Sequence, residues 1–238
     1  MDTVMNYPLI DALLRYYKYA DCNKLDYTIR DILREYPDET INSLMNFTST
    51  HDISRAINYF TDENEFNEYA EWAWDLKNDD LGYLKNKKLS KEEYEKAKEK
   101  YKSYLFALYF LPGNVSVFYG DEVGVDGYGN LLNRKTYPWG MEDKDLLEYF
   151  KKLGKDRNDE IFLETAGLKI RDINSDYFSY ERIGPKDKIL VITNRSGKEG
   201  RILIPPEYND EKAKIYTLNK STKDIITPYG AVAIKKAC

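Results

Sequence analysis

Residues 46–55 read Asn46-Phe47-Thr48-Ser49-Thr50-His51-Asp52-Ile53-Ser54-Arg55 and hold the only histidine of the 238-residue chain. Residues 43–47 have the pattern of a short buried strand. In barrels of alternating strands and helices, side chains at the carboxyl end of a strand face the ligand. A neutral imidazole donates to a hydroxyl group, and a carboxylate accepts from two hydroxyl groups. His51 and Asp52 are therefore candidate binding residues; the alternative is that this segment only caps the following helix.

A second acidic segment follows another apolar run. The run Val115-Ser116-Val117-Phe118-Tyr119 is rich in β-branched and aromatic residues and predicts a strand buried on both faces. Gly120, Asp121 and Glu122 follow it directly, before a polar, glycine-rich loop over residues 124–139. Acidic side chains at that end of a strand are again typical of a site, although Gly120 and Asp121 suit a tight turn equally well.

The first 162 residues alternate between extended and helical patterns. Short strands are predicted over residues 3–7, 43–47 and 115–119, and helices over residues 10–19, 26–35, 54–59, 90–110 and 144–154. Ser90-Lys91-Glu92-Glu93 has the pattern of a capping box and predicts the start of the long helix. Alternating helices and apolar strands indicate parallel βα units.

The pattern changes near residue 163. Short strands at nearly even spacing, separated by Gly, Pro, Asn and Asp, are predicted over residues 168–173, 177–182, 189–194, 201–204, 213–218 and 231–235. This spacing is typical of an antiparallel β-sandwich. We therefore expect an α/β domain over residues 1–162 and an all-β domain over residues 163–238.

Composition limits the partners of the chain. The net charge of −5 argues against a nucleic-acid partner, because phosphate binding requires clustered Lys and Arg. Neither a run of 18 apolar residues nor a signal-peptide pattern occurs, so we expect no membrane partner and a cytoplasmic location. Cys22 and Cys238, the two cysteines, have no metal-binding spacing, and no cofactor is expected.

Five motifs in order resemble the α-amylase family of glycoside hydrolases, especially its neopullulanase and cyclomaltodextrinase branch. Residues 2–8 resemble the sixth barrel strand of that family, residues 45–52 the seventh strand with its His-Asp pair, and residues 111–122 the eighth. The loop after the eighth strand matches Asn133-Arg134-Lys135 and Pro138-Trp139, and the C-terminal domain matches residues 168–172 and 191–195. The resemblance implies the C-terminal part of a (β/α)8 TIM barrel, about strands 6–8 with their helices, followed by an antiparallel β-sandwich domain.

The resemblance also implies roles for individual residues. Asp52 matches the acidic residue that stabilises the transition state, and His51 and Arg134 match residues that hold the sugar. Asn130 stands where the family has an aspartate, so a charge-assisted hydrogen bond to the sugar is missing there. Asn6 and Tyr7 complete the expected substrate-binding residues, which are His51, Arg134, Asn130, Asn6 and Tyr7. The expected ligand is an α-glucan or a maltooligosaccharide.

The resemblance places the catalytic nucleophile and proton donor on the fourth and fifth strands, which precede this chain. Retaining cleavage requires both carboxylates, so we expect a fragment of an α-glucan hydrolase that is inactive alone. Glucan transfer shares the same barrel and residues. The alternative is a non-catalytic glucan-binding or assembly module that keeps the family fold. Open strand edges predict self-association. Calcium occurs in relatives, but the sequence shows no ligand cluster for it.

Overall fold

The computed structural model of the protein describes residues 3–61, 85–129 and 131–237. They form two compact units, each assembled from separated stretches of chain. The first unit contains residues 3–46, 102–115 and 152–237, and the second contains residues 47–61, 85–101, 116–129 and 131–151. Because this division does not follow chain order, it does not test the domain boundary expected between residues 162 and 163, which stays a prediction.

The helices of the described residues largely follow the predicted pattern. They are α1 (Tyr7–Tyr19), α2 (Cys22–Glu35), α3 (Asp38–Ser43), α4 (Ala56–Tyr59), α5 (Lys91–Phe110) and α6 (Lys144–Asn158), with short 3-10 turns at Asp121–Val123, Ile161–Glu164 and Pro206–Tyr208. The sequence did not predict α3. Over the described ranges, no helix combines the length and apolar character needed to cross a bilayer.

Side-chain caps mark where several of these helices begin. Ser90 Oγ accepts from Glu93 N at 3.2 Å and Glu93 Oε2 accepts from Ser90 N at 2.8 Å, which is the predicted capping box before α5. Asn6 Oδ1 accepts from Leu9 N at 3.4 Å, and Pro8 lies in the first turn of α1. Tyr7 is therefore helical, which corrects the strand predicted over residues 3–7. Only Met5 pairs there, in a parallel bridge with Met45.

Two short strands, β1 (Met45–Phe47) and β2 (Asn114–Ser116), pair with each other. Leu44 O accepts from Asn114 N at 2.7 Å and Thr48 N donates to Ser116 O at 3.1 Å, so the strands run in the same direction. Val117 and Tyr119 are exposed, which corrects the prediction of a strand buried on both faces over residues 115–119. The ladder ends early because Phe118 N faces the Thr48 hydroxyl, at 3.4 Å, instead of a strand backbone.

The antiparallel part of the chain belongs to the first unit. Its strands are β3 (Gly167–Ile173), β4 (Tyr177–Ile183), β5 (Asp187–Asn194), β6 (Gly200–Arg201), β7 (Lys214–Leu218), β8 (Ile225–Ile226) and β9 (Ala231–Ala237). One sheet has the order β3-β4-β5-β9-β7, and β6 pairs with β8. The strand predicted over residues 201–204 is only β6, because Pro205 and Pro206 follow and lack an N–H for a ladder.

One face of this sheet carries the core of the antiparallel part. Leu190 and Ile192 of β5 and Val232 and Ile234 of β9 are buried and point to the same face, because side chains two residues apart share a face. Tyr208 and Ile226 pack on them from the segments outside the sheet. The sheet therefore has a second covering layer, as expected for the C-terminal β-sandwich.

The carboxyl end of α5 is closed by side chains of the first unit. Tyr180 Oη donates to Ala107 O at 2.6 Å, and Arg182 Nη1 donates to Phe110 O at 2.8 Å. Arg157 donates to Leu111 O at 3.0 Å and also to the carbonyl of Tyr109. Ala107 O also accepts from Leu111 N at 3.3 Å, whereas the bonds to Tyr109, Phe110 and Leu111 satisfy carbonyls at the end of the helix that have no later helical turn to bond to.

Candidate functional site

The loop between β1 and α4 presents the predicted histidine and aspartate to solvent. Thr48, Ser49 and Thr50 are buried, whereas the side chains of His51 and Asp52 are 58% and 37% exposed. His51 Nε2 lies 3.3 Å from Asp52 Oδ1. Asp52 N donates to Thr50 Oγ1 at 3.2 Å, which tightens the turn that carries both residues. The two side chains are thus adjacent and accessible to a ligand.

Arg134 joins this pair from the loop after β2. Its Nε and Nη2 atoms each donate to His51 O at 3.3 Å, and Nη2 lies 3.9 Å from Asp52 Oδ1. Three of the predicted site residues therefore come together within the second unit, although 82 positions separate Asp52 and Arg134 in the chain. The cluster offers an imidazole, a carboxylate and a guanidinium on one exposed surface, a set able to donate to and accept from hydroxyl groups.

The other predicted site residues have different surroundings. Asn6 is buried in the first unit, where its Nδ2 donates to Asn46 Oδ1 at 3.0 Å while its Oδ1 caps α1. Asn46 Nδ2 in turn donates to Pro112 O at 2.8 Å. Tyr7 is the first residue of α1 and is partly exposed. Asn130 lies outside the described residues. The binding roles of Asn6, Tyr7 and Asn130 stay predictions.

Beneath the loop lies a buried ion pair, whose acid, Asp121, was expected to be either a site residue or part of a tight turn. Arg55 Nη1 lies 3.0 Å from Asp121 Oδ1, and both side chains are almost completely buried. Asp121 Oδ2 accepts from the hydroxyls of Thr48 and Ser49, each at 2.5 Å. Burial raises the pKa of the Asp121 carboxyl, and the Arg55 guanidinium with the Ser49 and Thr48 hydroxyls opposes the rise. Asp121 therefore ties the base of the loop to the segment after β2.

Arg55 extends this network to a third segment. Its Nε donates to Asn133 O at 2.8 Å, and its guanidinium lies 4.0 Å from the ring centroid of Phe118. Asn133 Nδ2 donates to Thr50 O at 2.9 Å and to Ile53 O at 2.6 Å, on either side of His51 and Asp52. We refer to Arg55, Asp121 and Asn133 as the loop brace. It fixes the backbone on both sides of the exposed pair.

Glycine is required at the turn that aims Asp121 inward. Gly120 has φ +89°, and a Cβ at this position would lie 2.7 Å from Val125 Cγ2. The sequence itself indicated Asp121, because this acidic residue directly follows a glycine at the end of a predicted strand. The partner Arg55, 66 positions away, had no local signal. Within the described ranges, no group of three or more His, Cys, Asp or Glu side chains is arranged to hold a metal ion.

The chain is similar in sequence to known α-glucan-degrading enzymes. No protein-family model matches it. An amylopullulanase from Thermoanaerobacter thermohydrosulfuricus is 30% identical over 197 residues, which cover 76% of this chain and 12% of that protein. A cyclomaltodextrinase from a Bacillus species is 27% identical over 208 residues, which cover 85% of this chain and 31% of that protein.

Solved structures share the fold. The type III pullulan hydrolase from Thermococcus kodakarensis superposes with a TM-score of 0.73 at 20% identity, over 99% of this chain and 36% of that chain. The chain spans about a third or less of the length of the amylopullulanase and the cyclomaltodextrinase that it matches. The ordered motifs, the relatives and the shared fold agree, and the chain therefore belongs to the α-amylase family, in which it corresponds to a C-terminal portion.

Proposed function

We propose that the chain is part of a retaining α-glucan hydrolase, to which it contributes the groups that hold the sugar beside the cleaved bond. The observation that carries the proposal is the exposed cluster of His51, Asp52 and Arg134, held by a buried brace. The names of the relatives, amylopullulanase and cyclomaltodextrinase, support α-glucans as the ligand class.

Asp52 is the acidic residue of this cluster. In the proposed role its two oxygens accept from neighbouring hydroxyls of one sugar, a geometry that strengthens as the ring flattens toward the transition state. A fixed negative charge close to the ring also stabilises the positive charge that develops on an oxocarbenium-like sugar. Such stabilisation depends on the carboxylate being held in place before the sugar reacts, which is what the loop brace provides.

His51 and Arg134 supply donors around that carboxylate. The Nε and Nη2 atoms of Arg134 each donate one hydrogen bond to the carbonyl of His51. The remaining N–H groups of the guanidinium are available to solvent and to Asp52, which lies 3.9 Å from Nη2. In the proposed role the fork and the imidazole donate to sugar hydroxyls that do not reach Asp52. The arrangement binds and orients the sugar, and it does not itself break the bond.

Bond cleavage requires two further carboxylates. By resemblance, the nucleophile and the proton donor belong to strands four and five of the family barrel, and the motifs that this chain matches begin at the sixth strand. A positioned general acid or base contributes about 10²–10⁴-fold to a rate, and loss of the nucleophile removes the covalent intermediate altogether. We therefore propose that the chain alone binds glucan without hydrolysing it.

The test joins a binding measurement to a hydrolysis assay on the purified chain. Maltoheptaose should bind, as followed by calorimetry, while no new reducing ends appear. Asp52→Asn should weaken binding by about tenfold or more, because it removes a charge-assisted acceptor. Asp26→Asn is the matched control, since Asp26 is also paired with an arginine and is 39% exposed. Absence of binding by the wild-type chain would overturn the proposal. Release of reducing ends would contradict the proposed inactivity of the chain alone.

The upstream reading frame separates the enzyme from the non-catalytic alternative. A Gly-x-Arg-x-Asp strand followed by a later strand ending in Glu supports a hydrolase, whereas their absence supports a glucan-binding or assembly module. The expected self-association of the chain stays a prediction.

A further inference from the structure

The second unit contains an open groove that none of His51, Asp52 and Arg134 lines. The groove has a volume of about 680 Å³. This value lies within the range of about 300–1,000 Å³ that is typical of small-molecule sites. Its walls come from the first turns of α5, the residues after the Asp121–Val123 turn, and the segment that leads into α6.

One wall is a preorganised polar cluster. Asp143 Oδ2 accepts from Tyr94 Oη at 2.7 Å and from Lys98 Nζ at 3.0 Å, and its Oδ1 accepts from Leu146 N at 3.0 Å. Gly124 makes this possible, because a Cβ there would lie 1.9 Å from Tyr94 Oη. The cluster therefore has a fixed geometry before any ligand arrives.

The facing wall carries a second paired charge. Lys135 Nζ lies 2.7 Å from Asp126 Oδ1, and both side chains are partly exposed. In each pair the opposite charges lie close enough to compensate each other, and Asp126, Lys135 and Asp143 all line the groove. Because carboxylates outnumber cations along the lining, an anionic ligand is disfavoured there. Hydroxyl groups, which both donate and accept, match these walls.

An exposed aromatic pair lies next in sequence to residues that line the groove. Pro138 and Met141 line the groove, and Met141 N donates to Pro138 O at 2.9 Å, which closes a turn with Trp139 at its tip. Trp139 is 81% exposed, and its ring centroid lies 4.4 Å from that of Tyr137. A large aromatic face that remains in water beside a polar groove suits the flat, apolar face of a sugar ring.

We propose that this groove is a second glucan-binding site, in which a sugar ring stacks on Trp139 and its hydroxyl groups bond to Asp126, Lys135 and Asp143. The inference rests on the proposed function for its ligand class. It adds a place where a longer glucan is held in addition to the cluster at Asp52.

The test titrates maltoheptaose into the purified chain and into Trp139→Ala, Asp52→Asn and the double variant. Two sites are expected in the wild-type chain, each single variant should weaken one of them by about tenfold or more, and the double variant should bind neither. Trp139→Phe should restore most of the groove affinity. Tyr27→Ala is the matched control, because Tyr27 is an exposed aromatic residue, 65% accessible, on α2 of the other unit.

The outcomes separate the two proposals. If Asp52→Asn removes all binding and Trp139→Ala binds like the wild-type chain, the groove inference fails while the proposed function stands. If the wild-type chain binds no maltoheptaose, both fail. Because Trp139 is exposed, Trp139→Ala leaves no cavity, and an unchanged circular dichroism spectrum will verify its fold.

Discussion

Arg55 in the second unit and Arg182 in the first unit are both completely buried, but different groups compensate the positive charge of each guanidinium. Arg55 meets a carboxylate, Asp121 at 3.0 Å, and stacks on Phe118. In the part of the chain that the structure describes, Arg182 donates only to backbone carbonyls: Phe110 O at 2.8 Å, Leu163 O at 2.7 Å and Ala166 O at 2.7 Å. Burial, together with the nearby Arg157 guanidinium, lowers the pKa of Arg182.

The difference follows from what each arginine fixes. Phe110 O lies at the carboxyl end of α5, which has a partial negative charge, whereas Leu163 O and Ala166 O come from the Ile161–Glu164 turn and the residues just after it. Backbone carbonyls from two segments thus compensate Arg182 without a carboxylate. Arg55 also donates to the carbonyls of Asn133 and Tyr119, but there the compensating negative charge comes from the side chain of Asp121. Backbone carbonyls alone can therefore compensate one buried arginine, whereas the arginine beneath the loop with His51 and Asp52 is paired with an acid.

The largest expected effect tests the loop brace. Asp121→Ala should lower the free energy of unfolding by about 3–5 kcal/mol, because it leaves the Arg55 guanidinium buried without its carboxylate. Urea denaturation measures the change. Asp126→Ala is the control, since Asp126 pairs with Lys135 at the surface and should cost less than about 1 kcal/mol. Equal losses of unfolding free energy in the two variants would show that burial does not increase the contribution of an ion pair to stability.

A smaller effect is expected at the helix end. Arg182→Met keeps much of the buried volume but leaves carbonyls without donors, which should cost about 2–3 kcal/mol. Arg30→Met, which removes an exposed guanidinium paired with Asp26 on α2, should change stability by less than about 1 kcal/mol. If Arg182→Met lowered the free energy of unfolding more than Asp121→Ala, the buried arginine bonded to carbonyls would contribute more to stability than the buried ion pair, contrary to expectation.

The first unit also has a buried carboxylate, which sharpens the comparison through its pH dependence. Glu160 Oε2 lies 2.7 Å from Lys235 Nζ and Glu160 Oε1 lies 3.0 Å from Lys214 Nζ. Burial opposes ionisation of Glu160, but the hydrogen bonds from Lys235, Tyr216 and Lys214 prevail and lower its pKa. A carboxyl with a lowered folded-state pKa contributes stability above its unfolded pKa, and this contribution is lost as pH falls through the folded pKa.

Glu160→Gln should therefore lower the free energy of unfolding at neutral pH by about 1–2 kcal/mol, the smallest effect of the three. The difference from the wild-type chain should vanish at acidic pH, where Glu160 is protonated in both states. Glu148→Gln is the control, because Glu148 pairs with Lys151 at the surface. Urea denaturation over a pH series measures the change, and a gap that stays constant with pH would contradict the assignment.

Local sequence determined most helices and strands of this protein. The capping box at Ser90, the apolar periods of α1, α2 and α5, and the evenly spaced strands after residue 163 act through neighbours a few positions apart. The His51-Asp52 segment was likewise located after a strand by its own neighbourhood. The run at residues 115–119 was misjudged because burial on both faces depends on neighbours that are distant in the chain.

Only the tertiary structure decided the partners of the buried charges. Arg55 and Asp121 are 66 positions apart, and Arg182 reaches the end of a helix 72 positions earlier. No periodicity encodes such a pairing, because the penalty for an unpaired buried charge arises only when the chain has excluded water from it. The sequence thus determined which groups are candidates for the proposed sugar site, and the packing decided which of them are held in place.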